Sequence, residues 1–250
     1  MSFRPSLALT VTLVILAALF GRLGLWQLER KAEKAALFER FEQAPSLSLE
    51  QALERNDRFA RVEAYGRFDA QRHFLLDNRI WQGRPGVHVL TPFTLADGTV
   101  VLVNRGWLPL PPDRSRLPEV FGDDHPREIR GRLNVLPTEG QRLGEADRLS
   151  ADRWPQLMTY FDTAPVEAAL GQELAPWLVQ LDPGDPAGFE GRDWKAAVME
   201  PKVHGAYAVQ WFSLMIASIL IWTTLGVRRG RMLQRSQDDS RPSANGADKE

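Results

Sequence analysis

Cysteine is absent from the sequence, which excludes disulfides, thiolate nucleophiles, Cys-ligated zinc and thiolate-based copper handling. Histidine is scarce: the four residues at 73, 88, 125 and 204 have no spacing that builds a metal cluster. Neither sign of charge dominates, because 31 Lys and Arg face 32 Asp and Glu, and no basic stripe stands apart from acidic neighbours, which argues against a nucleic-acid partner. HExxH, a glycine-rich phosphate loop and a nucleophile motif are all missing, and nothing proposes a carboxylate pair, so no catalytic residue and no enzyme activity is expected.

What the chain does have is two long apolar runs. No charged side chain occurs between Gly205 and Val227, and only Arg22 interrupts Pro5 to Leu28. At about 1.5 Å per residue, either run crosses a hydrocarbon core of roughly 30 Å. Transmembrane helices are therefore expected at 5–28 and 204–227. The first lacks an Ala-x-Ala cleavage site before Trp26 and reads as an uncleaved signal anchor.

Arg228, Arg229, Arg231 and Arg235 follow the second run closely and place the tail on the cytoplasmic side. Arg30, Lys31, Lys34 and Arg40 after the first run pull the other way, interleaved with Glu29, Glu33 and Glu39; the C-terminal flank is taken as decisive. The polar segment 228–250 is expected to be a disordered cytoplasmic tail. MSFRPSLA enters the first span without an Arg- and Ser-rich presequence, which favours a bacterial inner membrane with the central region in the periplasm.

Residues 29–203 read as one β-rich extramembrane domain. ERKAEKAALFERFEQ prolongs the first helix, and strands are expected at 60–68, 73–80, 87–94, 99–106, 128–136, 156–161 and 177–181. Asp97-Gly98 marks a hairpin between two of them. Leu108 to Pro126 is proline-rich and reads as a loop. Asp162 or Thr163 caps a short helix with Val166, Ala169 and Leu170 on one face. The fold class is thus a membrane protein with two transmembrane helices flanking a mostly antiparallel β (α+β) domain. His73 reads as surface or interface filling, and His125, beside Asp123 and Asp124, as solvent-facing.

His204 opens the second span, with Tyr207, Trp211 and Met215 below it at helical spacing. Taken alone, this stripe fits an interfacial aromatic belt with a histidine at the helix mouth better than it fits a binding site. Three islands place Trp near Arg: GLWQLER (24–30), WQGRPG (81–86) and NRGW (104–107), with Trp26, Trp81 and Trp107 candidates for the membrane boundary.

GLWQLER after the first span, then LLDNR, VLTPF, VLVNRGW and PKVHGAYAVQWF entering the second, resembles in order and placement the SURF1 (Shy1) family of cytochrome c oxidase assembly proteins. The resemblance implies an accessory protein, not an enzyme, that binds haem a and assists its insertion or retention in oxidase subunit I. His204 is the implied iron ligand, and Tyr207, Gln210 and Trp211 are its motif companions. Arg30, Arg84 and Arg105 are candidates to meet the haem propionates. The implied partners are subunit I, the haem a synthase and membrane lipids. An alternative within the family is a scaffold that holds subunit I or the haem-delivery enzyme without binding haem. Gly21, Gly24, Ala206, Ala217 and Ser218 are small enough to support close helix packing in either case.

Overall fold

The computed structural model describes residues 3–111, 116–137, 147 and 149–239, with side chains through 237. The chain divides into two compact units, Arg40–Ala196 and the paired ends Met1–Glu39 and Ala197–Glu250. Helix α1 (Leu7–Glu42) runs from the second of these into the first.

The central unit holds strands β1 (Ser46–Ser48), β2 (Arg61–Phe68), β3 (Phe74–Trp81), β4 (Arg84–Leu95), β5 (Val100–Pro109), β6 (Arg127–Val135), β7 (Gln156–Met158) and β8 (Trp177–Leu181), with helices α2 (Leu49–Arg55) and α3 (Thr163–Leu170). The strand order is β1-β2-β6-β8-β5-β4-β3-β7, and β2 also pairs with β4. That extra pairing closes β2, β6, β8, β5 and β4 into a barrel. β4 makes closure possible by its length: Arg84–Leu90 pairs with β3, and Phe93–Leu95, farther along the same strand, pairs with β2.

Strict alternation in β2 turns Val62, Ala64 and Phe68 inward and Arg61, Glu63, Tyr65 and Arg67 outward. A Cβ on Gly66 would lie 2.7 Å from the Phe93 ring, so glycine is what lets β2 and β4 meet at the seam. Phe68, Phe93, Val101, Val103, Ile129, Leu133, Val179 and Leu181 fill the interior. α3 covers the outside, packing Val166, Ala169 and Leu170 on Phe74, Leu90 and Leu102.

Among the described residues, antiparallel pairings predominate (β2–β4, β2–β6, β3–β4, β4–β5, β6–β8), while β1–β2, β3–β7 and β5–β8 are parallel. The Asp97-Gly98 hairpin is present, with the Asp97 carboxylate accepting the Thr99 N–H at 2.8 Å. α3 is capped by Asp162 and ends at Gly171 with φ of 69°. β1 and α2 were not expected, since three and seven residues are too few to set a period. Ser48 caps α2 and Asn56 closes it in the left-handed region.

The second apolar helix, α4, runs from Pro201 to Asp239. It passes the expected end at 227 because Arg, Met, Leu and Gln there are good helix formers; residues 240–250 lie outside the described residues. α1 and α4 are each long and apolar enough to cross a membrane. They pack along heptads: Thr10, Leu13, Ala17, Phe20, Gly24 and Gln27 on α1, His204, Ala208, Trp211, Met215, Ser218 and Trp222 on α4. Phe20 stacks on Trp211 at 5.9 Å, and Trp222 Nε1 donates to Thr10 Oγ1 at 3.0 Å. A Cβ on Gly24 would sit 2.7 Å from the Phe212 ring, and one on Gly21 3.2 Å from Met215 Sδ. The small residues thus set the depth of the contact.

Candidate functional site

The helix pair buries one ionisable side chain in its seam. His204 is 8% exposed, as is Gln27 across from it, and His204 Nδ1 lies 2.8 Å from Gln27 Oε1. His204 Nε2 is buried with no hydrogen-bond partner among the described residues. If Nδ1 carries the proton and donates to the amide oxygen, Nε2 is left with a free lone pair. With the amide turned round, Nε2 would carry a buried N–H without an acceptor, the costlier arrangement. Gln27 therefore selects the tautomer that leaves the Nε2 lone pair free, the tautomer metal-binding histidines adopt when their second nitrogen donates to an oxygen.

Gln27 belongs to the GLWQLER island but escapes sequence reasoning there, because glutamine is an ordinary helix former and nothing local marks it as buried. The signal that finds it is the heptad: Gln27 lies three residues beyond Gly24 in the same stripe.

The residues expected to accompany His204 divide by face. Trp211 continues its stripe, whereas Tyr207 is 45% exposed and Gln210 is also exposed, both on the outer side of α4. Met215 lies against Gly21. Arg30 is near the other end of the same region of α1, paired with Glu33 at 2.8 Å, with its guanidinium 5.8 Å from the Trp26 ring centre. Lys31 approaches Gly205: a Cβ there would be 3.6 Å from Lys31 Nζ.

Arg84 and Arg105 belong to the barrel unit. Arg84 is half exposed over Trp81 and Trp107, at 5.6 and 5.3 Å from their ring centres, and 3.6 Å from Glu190. Arg105 is 6% exposed. Its Nε donates to the Ala187 carbonyl at 2.7 Å and its Nη2 to that of Phe121 at 3.3 Å, between the rings of Phe68 and Phe189. Burial pulls its pKa down to about 10, with Arg127 adding to the effect. Only Nη1 lacks a partner.

Two expectations are corrected. His73 is a core residue, 2% exposed, with Nδ1 3.0 Å from Thr91 Oγ1 and Nε2 3.3 Å from the Ala70 carbonyl. Burial, then the nearby Arg105, drops its pKa to about 4. Trp107 is fully buried, its Nε1 donating to the Arg79 carbonyl, so it is a core ring and not a boundary anchor. His125 is exposed as expected; with Asp123 and Asp124 it is the one described group spaced to hold a cation. Asp123 is already engaged by the His125 ring and by Arg127, so the group is explained locally.

Two membrane-crossing helices joined through a β-barrel unit define a two-span membrane protein with one extramembrane domain. The family comparison assigns it further. The SURF1 family profile matches residues 14–216, and the chain belongs to that family. Membership points to a role in cytochrome c oxidase assembly. No curated protein matches the chain.

Proposed function

We propose that this protein takes up haem a through His204 Nε2 and holds it for insertion into, or retention by, oxidase subunit I. The observation that carries the reading is the buried, unpartnered Nε2, paired through its own ring with Gln27. Bound haem a supplies an iron that accepts an imidazole nitrogen. The chain's residues do the rest. Gln27 fixes the tautomer and the ring plane, while Trp211 and Phe20 offer aromatic surface below. Arg30, on the same helix pair, presents an exposed donor suited to a propionate; Arg105 is buried, its Nη1 out of reach of a ligand. A single buried imidazole suits a carrier, because one weak axial bond can be surrendered.

In this reading the membrane is a bacterial inner membrane, with residues 40–196 in the periplasm and the α4 end cytoplasmic. The four arginines after the span support that orientation. Oxidase subunit I is the proposed recipient and the haem a synthase the proposed donor.

Purification of the protein and of His204→Ala from cells that make haem a tests the reading by optical spectrum and haem content. The parent is expected to carry haem and the variant to lose it. Equal haem in both would remove His204 from ligation; none in either would favour assembly through protein contacts alone.

A further inference from the structure

The ends of α1 and α4 remote from His204 enclose a second feature that haem handling does not use. A cavity of about 800 Å³ is lined by Ser6 and Leu9 of α1 and by Leu225, Arg228, Arg229, Arg231, Met232 and Arg235 of α4. Positions 225, 228, 229, 232 and 235 follow helical spacing, so apolar and cationic groups share one face.

None of the four arginines has a carboxylate partner among the described residues, and four guanidinium groups within about two turns repel one another. The start of α1 adds to the positive potential: no acid occupies its first turn, and Ser6 Oγ accepts the Leu9 N–H at 3.3 Å. The walls are tied together. Arg4 N–H donates to the Gly226 carbonyl at 3.1 Å, and the Phe3 ring packs edge-on against Trp222 at 4.9 Å. The cavity is therefore framed on both sides.

We infer that this cavity is a binding site for one anionic phospholipid, its phosphate among Arg228, Arg229, Arg231 and Arg235 and the start of an acyl chain on Leu9, Leu225 and Met232. A phosphate satisfies the guanidinium forks bidentately, and the apolar floor accounts for a lipid in place of a free anion. The site does not depend on the haem reading.

The full-length protein in neutral detergent, offered equal phosphatidylglycerol and phosphatidylcholine, is weighed intact by mass spectrometry. Phosphatidylglycerol is expected to be retained about tenfold in preference, roughly the weight of 1.4 kcal/mol. Changing the four arginines to glutamine should bring the ratio to parity. Leu225→Trp and Leu9→Trp fill the cavity without altering charge; in whichever keeps parental helicity by circular dichroism, the preference should also fall to parity.

Parity in the parent would overturn the proposal. So would full preference in both filled variants, which would mean attraction by the charged surface at large. Displacement of the lipid by inorganic phosphate at equal concentration would assign the arginines to a free anion instead.

Discussion

Exchanging Gln27 for leucine removes the oxygen facing His204 Nδ1 while keeping a side chain of similar volume in the seam. Loss of such a partner typically weakens a metal–histidine bond by about 10- to 100-fold. Gln27→Leu should therefore lower haem retention by about that factor and, by leaving a buried imidazole N–H without an acceptor, cost about 1–3 kcal/mol in thermal unfolding, and Gln27→Glu should retain haem. A histidine that merely pins helix register would show the stability loss without a haem phenotype. His73 gives a pH prediction of a different kind. Its folded pKa of about 4 lies below its ordinary value of 6.5, so the folded state binds fewer protons than the unfolded. The stability it contributes is complete above pH 6.5 and is lost as pH falls toward 4, up to about 3 kcal/mol. His88, also lowered to about 4 chiefly by burial, steepens the same window. Thermal melts from pH 7 to 4 should show the decline, and His73→Asn should flatten it.

At the scale of elements, the helix pair depends on glycine where the two backbones come closest. Gly24→Leu would drive a side chain into Phe212 and, one turn away, part Gln27 from His204. The expected cost is about 1–3 kcal/mol with loss of haem, measured by thermal unfolding and optical spectrum. The last turn of α1 is held by the barrel: Arg132 donates to the carbonyls of Phe41 and Phe59 and lies 3.8 Å over the Phe41 ring centre, and Arg61 reaches the Glu42 carbonyl. Arg132→Met should speed amide exchange in residues 40–60 and leave β5 protected, at a cost of about 1–3 kcal/mol. Periodicity made α1, α4, α3 and most strands readable, since each carries its own apolar pattern or turn signal. Barrel closure was not readable, because it depends on β4 pairing with two strands along one edge and on Gly66 opposite Phe93, contacts between residues far apart in sequence. Short β1 and α2 escaped for want of length.

At the scale of the whole molecule, the family follows from motif order along 14–216, and the fold it implies is present. The site was half legible. His204 stood out as a lone imidazole at a helix mouth, but its burial and its partner could not be read, because Gln27 lies 177 positions away and only helix packing brings it near. Tyr207 and Gln210, grouped with His204 by motif, prove to lie on the other face of the helix. The proposed haem contact turns on one atom, His204 Nε2. The most direct measurement is the optical spectrum of full-length His204→Gly, purified with haem a, before and after addition of free imidazole. The variant is predicted to lack the parental haem spectrum, and imidazole to restore it by occupying the vacated ligand position. A parental spectrum in the variant without imidazole would contradict the assignment of Nε2 as the iron ligand.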